Sequence, residues 1–249
     1  MKLCVAQPIF APNKEMFDKN IRSIRSLKNL QADNVDFYFS GYALDEYWNE
    51  LDTEIDKLCP VLYNKYSINY GKAYNINSIT SNLTGYDLLL TMDSDIVFLD
   101  DYDYLGRIND LNIENLGVIS FMQLEGNCHL VDRLDQKIVI NNHTFIYNRD
   151  GGGIAGGCVL VNFDFWKEIG GYRVMGVYAG DDAFLFIDAM QRGKRFALDL
   201  DIEVIHPFEN DHEYQKWKVS VCQRDSNGIE RDISNQIEEA TNFWRERKN

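Results

Sequence analysis

Apolar runs of strand length alternate with apolar positions at helical spacing in the first part of the chain, and this alternation constrains the fold most. Leu3 to Ala6 has the pattern of a buried strand, which we expect to stop at Pro8. Helical spacing then relates Phe17, Ile21, Ile24 and Leu27. The same succession recurs up to Asp93. Repeated strand–helix units are typical of a parallel α/β sheet.

The remaining pattern extends this prediction to residue 207. Further strands are predicted over 35–39, 61–63, 86–92, 116–122, 158–162 and 196–205, and helices over 47–58, 70–83, 164–170 and 181–192. Asn141-Asn142 predicts the turn of a hairpin over 137–147. We therefore expect one α/β domain over 1–207, with a Rossmann-like, mostly parallel sheet between helices. Ser234 and Glu238 predict a capped helix in a charged extension, 208–249, packed on this domain.

Composition restricts the classes of partner. The chain has 249 residues and a formal net charge of −14, so nucleic acid and anionic membranes are unfavourable partners. The five cysteines are scattered without a CxxC pair, which favours a reducing compartment. No apolar run reaches the roughly 20 residues of a membrane-spanning helix. The expected location is the cytoplasm, and the oligomeric state is left open.

Two carboxylates follow the predicted strand over 86–92. Asp93 and Asp95 are separated by Ser94, at the sheet edge where α/β proteins bind ligands. Paired carboxylates repel each other unless a cation lies between them, and oxygen ligands suit Mg²⁺ or Mn²⁺. The alternative is that the pair caps a turn. Two similar pairs, at 101–103 and 199–201, lack the preceding apolar strand, and for the latter we favour a structural role.

A glycine-rich segment and an acidic pair lie further along the chain. Residues 151–157 contain Gly156 and Gly157 and lack the pattern of a dinucleotide or ATP loop. The segment is either a surface on which a sugar lies against bare backbone or a loop hinge. Asp181 and Asp182 begin a predicted helix, where the helix dipole favours acids. An acid at this position is also suited to act as a general base, and we assign that role to Asp182.

A histidine ends the last predicted strand. His206 precedes Pro207 at a second strand end, which could bring its imidazole to the crevice that contains Asp95. A lone histidine is more often a hydrogen-bonded structural residue. The other histidines lack this setting.

The ordered set of motifs resembles a glycosyltransferase of the GT-A fold. The resemblance is to family 2, with a C-terminal region of galactosyltransferase type. It depends on the stretches 69–75 (NYGKAYN), 93–95 (DSD), 155–161 (AGGCVLV), 166–172 with its Gly170-Gly171-Tyr172 end, 180–182 (GDD) and 206–207 (HP). The acid-rich turn that the family has after strand two is absent here.

The resemblance implies a role for each matching residue. Asp95 would bind Mn²⁺ or Mg²⁺, with His206 as a second ligand and Asp93 near both the metal and the donor. Asp182 would be the catalytic base, with Asp181 beside it. The remaining implied donor-site residues are Gln7, Pro8, Ser40, Lys72, Ser94, Gly156 and Gly157. The donor would be a nucleotide sugar, with a UDP-sugar favoured, and the acceptor a hydroxyl, most simply of a glycan.

Two other functions fit the same sequence. A nucleotidyltransferase acting on sugar phosphates also places acidic metal ligands at a sheet edge, but it normally has a basic glycine-rich loop near its N-terminus. Residues 7–13 lack that loop. The other alternative is a non-catalytic module that binds a nucleotide or a sugar.

Overall fold

The computed structural model describes residues 1–111, 116–125, 136–147, 154–174, 177, 181–207 and 216. Its strands are β1 (Leu3–Ala11), β2 (Val35–Ala43), β3 (Leu62–Tyr66), β4 (Leu88–Met92), β5 (Val97–Phe98), β6 (Leu116–Glu125), β7 (Gln136–Ile140), β8 (His143–Tyr147), β9 (Cys158–Asn162) and β10 (Arg195–His206). Its helices are α1 (Lys14–Ser26), α2 (Asp45–Asp56), α3 (Lys72–Thr80), α4 (Tyr104–Asp110), α5 (Phe163–Ile169) and α6 (Asp181–Gln191). The predicted extension over 208–249 lies outside the described residues, apart from Lys216.

Within the described residues the strands form one sheet in the order β3-β2-β1-β4-β9-β6-β10-β8-β7, and β5 pairs with β10. Strands β1, β2, β3, β4, β6 and β10 all run in one direction, and β9 runs against its neighbours β4 and β6. The predicted mixed, mostly parallel α/β sheet is confirmed. The carboxyl ends of the parallel strands therefore lie along one edge of the sheet, together with the start of β9, and this is the edge at which α/β proteins bind ligands.

The helices cover both faces of the sheet. Ile21 and Ile24 of α1 are buried in one apolar cluster, and Ile76 of α3 and Phe184 of α6 are buried in a second. Burial on both faces explains why the central strands read as continuous apolar runs rather than alternating ones. None of the helices in the described ranges is long and apolar enough to cross a bilayer.

The prediction that β1 stops at Pro8 is wrong, since β1 pairs with β2 as far as Ala11. The backbone N–H and C=O groups of successive residues in a strand point to opposite sides, so those of residues two apart point to the same side. The N–H and C=O of Phe10 both bond the Asn20 side chain of α1 rather than β2. Pro8 has the same parity, so its nitrogen also points away from β2. The β1–β4 ladder ends at Ala6, so the N–H that proline lacks has no strand partner to lose.

The hairpin β7–β8 has the predicted turn. Asn141 and Asn142 have φ angles of 48° and 67°, the positive values that a two-residue hairpin turn requires. Helix α5 ends as predicted at Gly170, which has a left-handed φ of 77°.

Candidate functional site

The turn after β4 holds the first carboxylate pair at the sheet edge. The Asp93 N–H donates to the Gly157 carbonyl at 2.6 Å, which ties the turn to the start of β9. The Ser94 carbonyl accepts from the Gln7 side-chain amide at 3.3 Å. These backbone contacts leave the carboxyl groups of Asp93 and Asp95 partly exposed.

His206 reaches the same place from the end of β10. Its Nε2 atom lies 3.5 Å from Asp95 Oδ1 and 3.8 Å from Asp93 Oδ2. Burial by itself lowers the pKa of the imidazole, but the hydrogen bond and charge of Asp95 and the charge of Asp93 outweigh it, and the pKa is raised. The two carboxylates therefore favour a positive charge between themselves and the ring.

The three side chains fit a divalent cation. One ligand atom from each of Asp93, Asp95 and His206 lies within 4.8 Å of the other two. An ion about 2.1 Å from each ligand would set them up to about 4.2 Å apart, so a small contraction suffices. Carboxylate oxygens with one imidazole form a donor set that suits Mn²⁺ or Mg²⁺. The raised pKa of His206 favours a proton on Nε2, the nitrogen that faces the carboxylates, and a bound cation would take the place of that proton.

Lys72, the first residue of α3, forms ion pairs with Asp93 and with Asp181. Its Nζ atom lies 2.7 Å from Asp93 Oδ1 and 3.4 Å from Asp181 Oδ2, and it donates to the Gly156 carbonyl at 2.8 Å. Burial alone would lower the pKa of this ammonium, but Asp93, Tyr172 and Asp181 outweigh it and hold the pKa well above its usual value. Lys72 is therefore a fixed positive charge beside the carboxylate pair.

Asp181 and Asp182 begin α6 on the other side of Lys72. Burial raises the pKa of Asp181 to about 6, against the lowering effect of Lys72. Asp182 Oδ1 accepts from the Ala183 N–H at 2.9 Å, and Asp182 Oδ2 lies 3.4 Å from the Gly156 nitrogen. Asp181 is thus paired with a lysine, whereas the Asp182 side chain is held by backbone N–H groups and is partly exposed.

The two described glycines of the glycine-rich segment have steric reasons to be glycine. A Cβ atom on Gly156 would lie 2.3 Å from the Cβ of Asp182, and one on Gly157 would lie 3.0 Å from the amide of Gln123. A side chain at Gly156 would therefore displace Asp182, and one at Gly157 would displace Gln123. Residues 151–153 of the predicted segment lie outside the described residues.

The predicted donor-site residues do not all reach the surface. Lys72 and Gly156 contact carboxyl groups of the site, and Gly157 accepts from the backbone N–H of Asp93. Gln7 and Ser40, in contrast, are fully buried. Ser40 lies in the middle of β2, where its hydroxyl is 3.2 Å from that of Ser78. Pro8 pairs with Ser40 in the register of β1 and β2. Gln7 and Ser40 therefore lie inside the fold, beneath the carboxyl edge of the sheet. That either residue contacts a donor stays a prediction.

A row of aromatic residues lies near the carboxyl ends of β1, β2 and β3, and it was not predicted from the sequence. Phe10, Tyr42 and Tyr66 are aligned across β1, β2 and β3, and each is partly exposed. The ring of Tyr66 also lies 5.2 Å from that of Tyr70 and 5.9 Å from that of Tyr74, between ring centroids. An aromatic residue near the end of each of three successive strands is the signal that could have identified this row.

Gln123 of β6 was also missed. Its side chain is 3% exposed, and its Oε1 atom lies 2.9 Å from His206 Nδ1. The available signal was a glutamine that interrupts an apolar strand near its carboxyl end, because buried amides need hydrogen-bond partners.

The acidic pair at 199–201 has the structural role that we favoured. Asp199 is fully buried with its carboxylate 2.8 Å from His143 Nδ1, and its other oxygen accepts from the Asp201 N–H at 2.8 Å. Asp201 in turn accepts from the Thr144 N–H at 2.6 Å. The pair thus fastens the β7–β8 hairpin to β10.

We expect His143→Ala to lower the free energy of unfolding by roughly 3–5 kcal/mol, because it leaves the buried carboxylate of Asp199 without its imidazole partner. Urea denaturation measures this change. The matched control is Val139→Ala in the same hairpin, whose side chain is 62% exposed and should matter little. Equal, small effects of both substitutions would show that the His143–Asp199 contact does not stabilise the hairpin.

Comparison with known proteins identifies the fold. No protein-family model and no curated protein sequence matches the chain. Among solved structures, mannosyltransferase PcManGT from Pyrobaculum calidifontis, in complex with GDP-Man and Mn²⁺, matches with a TM-score of 0.63 and 14% identity. The match covers 87% of this chain and 59% of that one.

A second match is S. aureus TarS, residues 1–349, in complex with UDP-GlcNAc. Its TM-score is 0.59 at 12% identity, over 86% of this chain and 61% of that one. This chain therefore spans about three fifths of the length of both proteins. At such low identity the likeness shows the fold, which is the GT-A type of α/β fold expected from the sequence.

Proposed function

We propose that the chain is a metal-dependent glycosyltransferase that moves a sugar from a nucleotide-sugar donor to an acceptor hydroxyl. The observation that carries the proposal is the convergence of Asp93, Asp95 and His206 within 4.8 Å, next to Lys72, at the carboxyl edge of the sheet. A negative cluster that can hold a divalent cation, beside a fixed ammonium, is suited to binding a diphosphate.

The structural neighbours support the same class of donor. One was solved with GDP-Man and Mn²⁺ and another with UDP-GlcNAc. We propose Mn²⁺ or Mg²⁺ as the cation and favour a UDP-sugar as donor and a glycan as acceptor. The partly exposed aromatic row of Phe10, Tyr42 and Tyr66 would border the nucleobase, because aromatic rings stack on the faces of bases.

The proposed reaction is a single displacement with inversion at the anomeric carbon. Asp182 accepts the proton of the acceptor hydroxyl as the acceptor oxygen attacks this carbon. Lys72 contacts the ribose or phosphates of the donor. A bound cation would supply positive charge that stabilises the departing diphosphate. Gly156 and Gly157 expose bare backbone at which the donor sugar can approach closely.

The direct test is donor turnover by the purified chain. We expect slow release of nucleoside diphosphate from one member of a panel of UDP- and GDP-sugars with Mn²⁺, and none with EDTA. That donor at 100 times its Kd should stabilise the fold by about 2.7 kcal/mol. For a domain of this size the gain corresponds to a rise in Tm of about 5–10 °C.

The same assay separates the competing functions. Release of pyrophosphate from a nucleoside triphosphate and a sugar phosphate would establish a nucleotidyltransferase and refute the proposal. Binding of a nucleotide sugar without turnover, with every acceptor class tested, would indicate a binding module instead.

A further inference from the structure

Gln123 contacts His206 at the ring nitrogen that does not face the acidic pair. The glutamine is 3% exposed, on β6, and its Oε1 atom lies 2.9 Å from Nδ1 of the imidazole. On the opposite side of the ring, Nε2 faces Asp95 and Asp93 at 3.5 and 3.8 Å. The imidazole is therefore gripped at one nitrogen by a neutral amide and directed at the acidic pair with the other.

The surroundings of the amide fix which of its ends faces the ring. The Gln123 Nε2 atom lies 3.4 Å from the Ala155 carbonyl oxygen, which can only accept a hydrogen bond. The NH₂ group therefore belongs on the Ala155 side, and the oxygen belongs on the His206 side. An amide oxygen also only accepts, so Nδ1 of His206 must carry the proton of that contact.

The packing around Gln123 leaves little freedom to change this arrangement. A Cβ atom at Gly157 would lie 3.0 Å from both amide atoms, so the glycine lets the backbone of the segment close over the glutamine. The carbonyl of the same glycine accepts from the Asp93 N–H. The amide thus lies between the strand that carries His206 and the segment that holds the turn with Asp93.

We infer that Gln123 is a positioning residue for the cation site. It keeps the proton of His206 on Nδ1 and fixes the ring, so that Nε2 is the nitrogen presented to a divalent cation between Asp93 and Asp95. Ligating histidines generally donate their second N–H to such a partner, and losing that partner typically weakens metal affinity by about 10–100-fold. The inference rests on the proposed function in one respect, the identity of the site as a cation site.

The test compares two variants by calorimetric titration with Mn²⁺ alone. Gln123→Met keeps the length of the side chain and removes the acceptor, so Mn²⁺ affinity should fall about 10–100-fold. Gln123→Glu keeps an acceptor toward His206 but loses the donor toward Ala155, so its affinity should stay close to that of the wild type. Equal losses in both variants would overturn the inference, because the lost property would then be the contact with Ala155. The exposed Gln31→Met substitution is the matched control and should leave affinity unchanged.

A double-mutant cycle separates positioning from general stability. In a His206→Ala background, Gln123→Met should cause no further loss of Mn²⁺ affinity, because the ring on which it acts is gone. A full additional loss in that background would contradict the inference. Thermal unfolding of each variant shows whether the fold survives at the titration temperature.

A measurement on the metal-free wild type needs neither a variant nor a cation. Nitrogen-15 NMR of labelled histidine, recorded at a pH where the His206 imidazole is neutral, should show the ring proton on Nδ1 and none on Nε2, because the imidazolium present at lower pH carries both protons. A bare Nδ1 would overturn the inference. If the wild type binds no Mn²⁺, the proposed cation-dependent function fails, while this spectrum still decides whether Gln123 holds the ring as inferred.

Discussion

Asp182→Asn is expected to bind the donor normally and to transfer sugar about 10²–10⁴-fold more slowly, the range that a positioned general base contributes. Asparagine has the shape of aspartate, and its one amide oxygen can still accept from the Ala183 N–H at 2.9 Å, whereas the longer contact with the Gly156 nitrogen at 3.4 Å loses its acceptor. It cannot accept a proton from a hydroxyl at neutral pH. The substitution therefore removes the proposed chemistry and keeps the shorter of the two backbone contacts that hold the side chain.

The measurement is steady-state transfer together with donor affinity by titration. Asp164→Asn is the matched control. Asp164 is exposed and lies in the first turn of α5, the position that Asp182 has in α6. Asp181→Asn is the informative companion, because burial raises the pKa of Asp181 to about 6 and Lys72 is paired with it. Near-normal turnover by Asp182→Asn, with Asp181→Asn inactive, would transfer the role of base to Asp181.

Asp95→Asn should nearly abolish Mn²⁺ binding and donor turnover together. Asp95 Oδ1 is the acidic oxygen nearer to His206 Nε2, at 3.5 Å, and Asp93 is already paired with Lys72 at 2.7 Å. Loss of the Asp95 charge leaves the site with one carboxylate that a lysine largely neutralises. We expect an affinity loss above about 100-fold, the upper figure for a residue that only supports a ligand.

Calorimetry with Mn²⁺ and the donor-release assay measure this effect, and EDTA treatment of the wild type should reproduce the loss of turnover. The control is Asp101→Asn, which alters the similar pair at 101–103. Asp101 is exposed, and its φ of 58° is one that asparagine adopts readily. Unchanged Mn²⁺ affinity in Asp95→Asn would remove the basis of the proposed function.

The strand and helix pattern was readable because it depends on local periodicity. Runs such as Leu88–Met92 are apolar on both faces because helices cover both sides of the sheet, and the turn at Asn141-Asn142 depends on two residues that tolerate positive φ. The end of β1 was misjudged for a reason that no local pattern contains. Whether Pro8 interrupts a sheet depends on which side its nitrogen faces and on where β4 ends.

Candidate residues of the site were found where a chemical group followed a strand end, as with Asp95 and His206. Residues whose role depends on a partner distant in sequence were not found. Gln123 gains meaning only because β6 and β10 are parallel neighbours, which places its amide 2.9 Å from His206. The second strand was predicted to end at residue 39, just before Ser40, but β2 continues to Ala43 and Ser40 is buried within it.

The sequence by itself determined the class of fold, the carboxylate turn after β4 and the types of side chain offered to a ligand, because these follow from periodicity and from residue chemistry. Only the tertiary structure decided which groups meet. The strand order brings Asp95 and His206, far apart in the chain, within 3.5 Å and places Lys72 between Asp93 and Asp181. Distances of this kind arise from the register and direction of strands, which no single segment specifies.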